Sequence, residues 1–486
     1  MDNNQPEMDL FTDYFKQTKQ RVDIDIGILP QKVTAMTKLT FIPKEGKSLP
    51  LSKEFLLRLN AENMYITKIT LLKNNNFPNP SLSFHNYNPP FTKTYLDSLY
   101  ANIEEIDSFK NVNRVEWEVR QKGNLWVVLP YNLLDSNKIK IQIEYEILEN
   151  DVGIVFNHFY DEKIDIEHTV CFTPNFYFNT QMWVPCIYDL NLQIYWRLYI
   201  YTPMDYMAYC SCQIIKIHQG TNNKKLIVCF SQEPIAARNV GFIVVNDKIF
   251  NRISDPNNKN YMFVCNESKK EKVEKNLISN KLMSTLYSFY DEFFDTNETN
   301  LRSNLNSPTF IVFIPYFSIN SINFNFNKFI KGKEENYFNI LKFPSLYIIP
   351  DKYLYTSSIP EMMKFQLRVL SKAFITNYIG GLITESSYAE FWIICGIESW
   401  LSDLFMGKAF GTSFLKNRIY NYILKFKSLC KNGKETHPLY HNNYSHPMEV
   451  QLDPISYLKS KLVLHLLEAQ VEKIFVQKAL KNIINE

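Results

Sequence analysis

The chain has 486 residues, of which 45% are hydrophobic, 21% charged and 15% aromatic, and its net charge is +3. The length predicts about three units of roughly 150 residues, or two larger ones, in a folded soluble protein. The small net charge gives no sign of a polyelectrolyte partner, and no apolar stretch approaches the roughly 20 residues of a membrane helix.

The N-terminus carries no targeting signal that we recognise. It is acidic and lacks a basic-then-apolar signal peptide, and residues 1–20 are interpreted as a tail. The eight cysteines are scattered, apart from Cys210 and Cys212, which have no second pair nearby with which to bind a metal. We therefore expect reduced, mostly buried thiols in an intracellular protein.

Strand patterns dominate the first half of the chain. Residues 138–147 alternate between apolar and polar side chains, which is typical of a strand with one buried face. Shorter runs repeat the pattern up to about residue 230, separated by Gly, Pro, Asn and Asp. They predict an antiparallel β-sandwich domain over residues 21–254.

The pattern changes after residue 254. Residues 255–275 combine an Asn-rich turn with a charged run and are interpreted as a linker. Helical periodicity then appears in 282–294 and from residue 360 onward, with one strand at 309–315. The second domain is placed at 276–486, with a polar loop insertion at 323–336, so the predicted fold class is α+β multidomain.

Four stretches resemble the gluzincin zinc aminopeptidase family when they are taken in order. They are MWVPCIYD at 182–189, GGLIT at 380–384, FWIICGIESW at 391–400 and ISYLKSKLVL at 455–464. The resemblance implies that the β-sandwich is of the aminopeptidase N-domain kind. It also implies that the domain after it is a mainly α-helical, thermolysin-like domain.

An active member of that family needs H-E-x-x-H on one helix and a Glu from the next helix, which together bind Zn²⁺ and a water. The family's spacing, counted back from Gly380, puts the two His positions on Lys372 and Thr376 and the general base on Ala373. The third ligand position holds Cys395. The resemblance therefore implies a pseudo-peptidase without metal, cofactor or catalytic residues.

The parts that would bind substrate are also changed. The family's amine-binding acidic strand aligns with FNILK at 338–342, which has no carboxylate. Tyr457 aligns with the tyrosine that stabilises the oxyanion, but without metal or base it is interpreted as a vestigial packing residue.

Finer similarities point to the metal-free branch of that family, subunit two of the general transcription factor TFIID. They lie in 183–189 with 196–198, in 234–244, and in LYSFYDEFF at 286–294. The resemblance implies a nuclear, non-catalytic scaffold in RNA polymerase II pre-initiation complexes. Its partners would be other TFIID subunits, including a subunit-eight-like one, and core-promoter DNA. The branch's long C-terminal helical-repeat region has no counterpart here, which leaves open whether the chain is a fragment.

One basic segment is a candidate DNA-facing surface because its cations are interleaved with aromatic residues. The alternative is an ordinary solvated helix face. The candidates are Lys416, Arg418, Lys425, Lys427, Lys431 and Lys434.

Two other functions stay open. The first is an aminopeptidase-like pseudoenzyme that binds peptides or protein partners outside transcription. The second is an active peptidase that uses a different set of residues.

Overall fold

The computed structural model describes residues 9–46, 54–72, 124–130, 133, 137–148, 153–161, 166–174, 180–219, 223–256, 258–279, 281–294, 308–315, 340–355, 359–381, 383–431, 439–440 and 454–485. These residues form several sheets and eight helices, so the protein has mixed α+β content. The chain folds into two compact units, and each unit is assembled from three separate segments. Unit 1 comprises Met1–Ile154, Phe178–Pro203 and Ile215–Ala237, and unit 2 comprises Val155–Tyr177, Met204–Ile214 and Arg238–Glu486.

The strands are β1 (Asp9–Leu10), β2 (Phe15–Gly27), β3 (Lys32–Pro43), β4 (Glu54–Asn60), β5 (Met64–Leu72), β6 (Asn124–Pro130), β7 (Ile139–Ile147), β8 (Val155–Asp161), β9 (Ile166–Phe172), β10 (Gln193–Pro203), β11 (Tyr206–Cys210), β12 (Gln213–Gln219), β13 (Lys224–Phe230), β14 (Ile235–Ala236), β15 (Phe242–Asn246), β16 (Phe250–Asp255), β17 (Asn258–Asn266), β18 (Thr309–Ile314), β19 (Leu341–Phe343) and β20 (Leu346–Pro350). The helices are α1 (Phe11–Tyr14), α2 (Lys270–Val273), α3 (Leu282–Phe294), α4 (Pro360–Ile375), α5 (Phe391–Phe410), α6 (Thr412–Lys431), α7 (Pro454–Val471) and α8 (Lys473–Asn485).

Unit 1 is built on an eight-stranded sheet in the order β12-β13-β10-β2-β3-β7-β5, with β14 paired to β10. The predicted strand at 138–147 is confirmed as β7, whose residues alternate between buried and partly exposed. A second sheet has the order β1-β4-β6. An aromatic cluster joins the two sheets, because Phe11 contacts Phe15 of β2, Phe41 of β3 and Phe55 of β4, and Phe15 also contacts Phe55.

Unit 2 contains a four-stranded sheet, β11-β15-β9-β8, and a five-stranded sheet, β16-β17-β18-β20-β19. Strand β18 lies between two parallel neighbours, β17 and β20. All six of its residues are buried, which is why it is a continuous apolar run without alternation. The strand predicted at 309–315 is therefore confirmed as a central strand.

The helices of unit 2 share one aromatic core. Tyr290 of α3 stacks on Phe374 of α4 with ring centroids 5.5 Å apart, and Phe294 stacks on Tyr378 at 4.5 Å. Phe293 meets Trp400 of α5 edge-on at 6.0 Å. This core fixes the inner faces of α3, α4 and α5, and with them the position of the residues described below.

The two compact units differ from the expected domains. Residues 255–275, expected to be a linker, contain the whole of β17, where Tyr261 and Phe263 are 1% and 0% exposed. The polar residues of that range lie at the turn between β16 and β17 and at the start of β17. They make the range resemble a loop, although β17 contributes to the core. The expected tail, residues 1–20, likewise includes β1, α1 and the start of β2. The expected insertion, 323–336, lies outside the described residues.

All eight cysteines carry thiols that form no disulfide; seven are buried, as expected, and Cys430 is partly exposed. Within the described ranges, no helix is long and apolar enough to cross a membrane.

Candidate functional site

Three helices of unit 2 bring together the positions that the resemblance assigns to a zinc site. Helix α4 begins at Pro360, whose fixed φ suits the first helical turn, and it carries Lys372 in its last turn. Its chain then turns through Gly380, whose φ of +90° favours glycine. Cys395 lies on α5 and Tyr457 on α7. Lys372 bonds to Tyr457, and Cys395 lies close enough to Lys372 to interact with it electrostatically.

The Lys372 ammonium is the centre of this group. Its side chain is only 7% exposed, and it donates a hydrogen bond to the hydroxyl of Tyr457. Burial lowers the pKa of Lys372 well below its usual range, and the charges of Lys461 and Arg368 lower it further. A buried lysine whose charged form is disfavoured therefore stands at the position where the family has its first zinc ligand.

Tyr457 is held from two further sides. Ser399 of α5 donates a hydrogen bond to its hydroxyl at 3.1 Å. The ammonium of Lys461 lies 3.8 Å from the centre of its ring, a cation–π distance. Burial of the hydroxyl raises the pKa of Tyr457, so the group stays a neutral phenol. Tyr457 therefore makes hydrogen bonds as well as packing contacts, which its interpretation as a packing residue did not include.

The remaining predicted positions offer little to a metal ion. Ala373 is fully buried and has no functional group. Thr376 is 5% exposed, and its Oγ1 has no hydrogen-bond partner in the described part of the chain. Burial raises the pKa of the Cys395 thiol, which disfavours the thiolate that binds metals and attacks substrates.

The carboxylates near this group are paired with cations. Glu398 of α5 accepts from Lys342 at 2.9 and 2.7 Å, and Lys342 belongs to the segment aligned with the family's amine-binding strand. Glu385 forms a buried, bidentate ion pair with Arg238. Across the described ranges, no three His, Cys, Asp or Glu side chains come close enough to hold a metal ion. The residues present therefore do not fit the zinc of the resembling family.

A second polar cluster lies beside the first, and the sequence did not predict it. Asp403 of α5 is 1% exposed and accepts hydrogen bonds from Arg418 and Tyr422 of α6, with His465 of α7 at 3.3 Å. Burial raises the pKa of Asp403, but the hydrogen bond from His465 and the charge of Arg418 outweigh it, so the net shift is downward. The available signal was the spacing of Cys395, Ser399 and Asp403, which recur every four residues on a mostly apolar helix.

The candidate DNA-facing residues do not form one exposed face. Lys416 and Lys427 are exposed on α6, and Lys425 is partly buried. Arg418 instead forms an ion pair with Asp403, and only 14% of its side chain is exposed. It is therefore not placed to contact a phosphate, as the sequence had predicted. The structure describes only the backbone of Lys431, and Lys434 lies outside the described residues.

Comparison with known proteins finds similarity over part of the chain. No family model matches the chain. The chain is 26% identical over 140 residues to transcription initiation factor TFIID subunit 2 of Schizosaccharomyces pombe. The match covers 29% of this chain and 12% of the relative, so it spans a small part of that protein.

Proposed function

We propose that this chain is a non-catalytic scaffold of the TFIID subunit-two kind, which acts in the nucleus during assembly of the RNA polymerase II pre-initiation complex. The similarity over 140 residues to a TFIID subunit 2 supports a role in transcription initiation. The main support for the absence of catalysis is Lys372. It occupies the family's first ligand position, is buried and donates a hydrogen bond to Tyr457.

The chemistry of that position argues against peptidase activity. While it is protonated, Lys372 repels a divalent cation and has no lone pair to donate, and the other two ligand positions hold Thr376 and Cys395 in place of His and Glu. Hydrolysis also needs a base to activate water, and Ala373 stands at the base position. We infer that this is a dead relative of zinc aminopeptidases, in which the helices were kept for their shape.

The proposed partners are other TFIID subunits, including a subunit-eight-like one, and core-promoter DNA. For DNA, the exposed residues Lys416 and Lys427 are the described cations of α6 that face solvent, and each phosphate contact would add salt-dependent affinity. Because Arg418 is paired with Asp403, the candidate DNA-facing surface has fewer exposed cations than the sequence predicted.

The test of the scaffold is to tag the full chain in its own cells and to identify the proteins that co-purify in stoichiometric amounts. We expect several TFIID subunits. If peptides or unrelated proteins were recovered without any TFIID subunit, the scaffold proposal would fail and the peptide-binding alternative would replace it.

The loss of the metal site has its own test. The purified chain is expected to contain no stoichiometric zinc and to release no product from fluorogenic amino-acid substrates. A zinc-loaded chain with turnover that a chelator abolishes would show an active peptidase and overturn the proposal.

A restored variant tests whether the spacing of the zinc site survives. The combined substitutions Lys372→His, Ala373→Glu, Thr376→His and Cys395→Glu recreate the family's ligands and base. The restored variant is expected to bind one zinc ion if the frame was inherited, with circular dichroism as the folding control. A folded variant without zinc affinity would contradict the aminopeptidase ancestry of this site but not the TFIID assignment.

A further inference from the structure

The eight-stranded sheet of unit 1 has one buried face and one partly exposed face. Side chains alternate between the two faces along β2, β3, β7 and β10. Residues that are paired across neighbouring strands point to the same face and lie about 5 Å apart. The pairing of the strands therefore shows which side chains are neighbours on the exposed face.

Two adjacent rows on the exposed face contain five cations, and their paired residues include no acid. In the first row, Lys19 of β2 and Lys140 of β7 lie on either side of one residue of β3. In the second row, Arg197 of β10 pairs with Arg21 of β2, which pairs with Lys38 of β3. All five cations are exposed or partly exposed. We call these five residues the basic rows.

The second row places three cations directly opposite one another on neighbouring strands, and like charges in that arrangement destabilise a sheet. Arg21 forms an ion pair with Asp23, and the guanidinium of Arg197 lies 4.7 Å from the centre of the Phe230 ring. Lys38 has no such compensation among the described residues. The repulsion within this row would fall if an anion bound over it.

The lysines of the basic rows are not neutralised by the carboxylates of the same face. The carboxylates of the next two rows are already bonded, and the pairs are Asp23 with Arg21, Asp25 with Lys224, Glu146 with Lys32 and Glu144 with Gln142. Within the described ranges, Lys19, Lys38 and Lys140 take part in no ion pair. The basic rows therefore carry the uncompensated charge of this face, and an anion is complementary to them.

The dimensions of the basic rows suit a narrow ligand. From Arg197 on β10 to Lys140 on β7 they cross three strand spacings, which is about 14 Å. An extended peptide rises about 3.3 Å per residue, so about five residues would cross this distance with alternate side chains toward the sheet. Tyr195, which pairs with Lys19 and is 40% exposed, adds an aromatic contact at one end of the first row.

Duplex DNA is a poorer fit to the basic rows. The two rows lie two residues apart along the strands, or about 7 Å, whereas the DNA major groove alone is about 12 Å wide. A duplex over the basic rows would therefore also bring its phosphates close to the carboxylates of the next row, Asp23 and Glu144.

A second copy of this chain is a weaker candidate as well. In a two-fold contact between two exposed faces, the carboxylates of one copy could approach the basic rows of the other. Those carboxylates are already bonded within their own copy, so they offer less to Lys19, Lys38 and Lys140 than free carboxylates would.

We propose that the basic rows bind an acidic, extended segment of a protein partner that crosses β10, β2, β3 and β7. Carboxylates at alternate positions of that segment would lie over Lys38, Lys140 and Arg197. The site lies wholly in unit 1, and it is independent of the Lys372 group, of the cations of α6 and of the proposed function.

The test uses two fluorescent peptides of about 12 residues, long enough to cross the basic rows in extended form. Thr alternates with Glu in one peptide and with Lys in the other. Fluorescence anisotropy with the full chain at low salt is expected to show binding of the acidic peptide and about tenfold weaker binding of the basic one. Raising the salt concentration is expected to weaken the binding of the acidic peptide.

Variants of the basic rows locate the site. Lys38→Glu, Lys140→Glu is expected to weaken binding of the acidic peptide about tenfold, whereas Lys38→Arg, Lys140→Arg should retain it. Lys38→Gln, Lys140→Gln is expected to weaken it about threefold and covers the case in which charge reversal impairs folding. The control Lys259→Glu, Lys478→Glu makes the same change in net charge at exposed lysines of β17 and α8 and should leave the affinity unchanged. Circular dichroism checks the folding of each variant.

Several results would overturn the proposal. Equal binding of both peptides, or unchanged binding of the acidic peptide in folded charge-reversal and Gln variants, would remove the acidic segment as ligand. DNA that binds more tightly than the acidic peptide and is lost in the same variants would assign the basic rows to nucleic acid. Dimerisation on size-exclusion chromatography with light scattering, if those variants abolished it, would assign them to a second copy.

Discussion

Lys372 brings a charge into a part of unit 2 that already contains buried cations and carboxylates. The cations around it are Lys461 and Arg368, whereas the acids that favour its charged form, Asp403 and Glu398, are already bonded to Arg418 and Lys342. Burying an ammonium costs free energy, which the hydrogen bond to Tyr457 only partly offsets, and burial accordingly lowers the pKa of Lys372.

Replacing this lysine with an apolar residue should therefore stabilise the protein. We expect Lys372→Met to raise the free energy of unfolding at pH 7 by about 1 to 3 kcal/mol, because Tyr457 keeps its hydrogen bond from Ser399. Urea unfolding measures the change, with Lys364→Met on the same helix as the matched control. A loss of stability would mean that the ammonium is a structural necessity.

The pH dependence of that gain follows from the lowered pKa of Lys372. Between the folded-state pKa and the unfolded value of 10.5, the unfolded chain binds more protons, so wild-type stability rises with pH. The advantage of the methionine variant is expected to shrink as the pH approaches that upper value. A gain that stays constant with pH would show that burial of charge is not its cause.

His465 is expected to make the stability of the protein fall, and not rise, with increasing pH. Burial opposes its charged form, but the hydrogen bond to Asp403 and the carboxylate of Glu468, 3.6 Å from Nδ1, raise its pKa above 6.5. The resulting stability is fully present below the unfolded pKa and is lost as pH rises through the folded one. We expect wild-type stability to fall on the order of 1 kcal/mol between about pH 6.5 and 8, and His465→Gln to lose this slope. The same slope in the variant would exclude His465 as its source.

At the level of elements, the sequence predicted what periodicity can show. Strand β7 and helices α3 and α4 were found because each presents one apolar face to a core. Strand β17 was missed because its first three residues, Asn258–Asn260, are polar and resemble a turn, and the apolar residues begin only at Tyr261. Sequence alone does not show which neighbouring strand will cover such a segment.

The turn after α4 is expected to be intolerant of side chains. A Cβ on Gly381 would meet the carbonyl oxygen of Thr376 and would lie 3.1 Å from Cγ of Pro344. We expect Gly381→Ala to lower the free energy of unfolding by about 1 to 3 kcal/mol, measured by thermal unfolding. Gly46→Ala is a useful comparison, since nothing lies within 4 Å of its Cβ, although its φ of +74° adds strain there. An equal or smaller effect at Gly381 would mean that the turn relaxes.

At the level of the whole molecule, the candidate site was partly predictable. The family spacing selected Lys372, Cys395 and Tyr457; in the structure Lys372 bonds to Tyr457 and interacts electrostatically with Cys395, and the assignment of these positions to a former zinc site stays a prediction. It did not identify Ser399, Lys461 or the Asp403 cluster. Their contacts depend on how α6 and α7 pack against α5, which the spacing of residues along the chain does not show.

The segmented units also predict how the chain can be divided. A fragment of residues 276–486, the expected second domain, would lack β16 and β17 and leave β18 as an uncovered edge. We expect this fragment to aggregate, or to lack the cooperative thermal transition of the full chain. A soluble fragment with the same transition midpoint would support a domain boundary at residue 276.

The distribution of the thiols has a practical consequence. Seven of the eight cysteines are buried, and Cys430 near the end of α6 is the partly exposed one. A maleimide dye added to the native protein is therefore expected to attach once, at Cys430, without any prior removal of cysteines. That single fluorophore would report on α6 directly, and mass spectrometry of the labelled chain would check the stoichiometry.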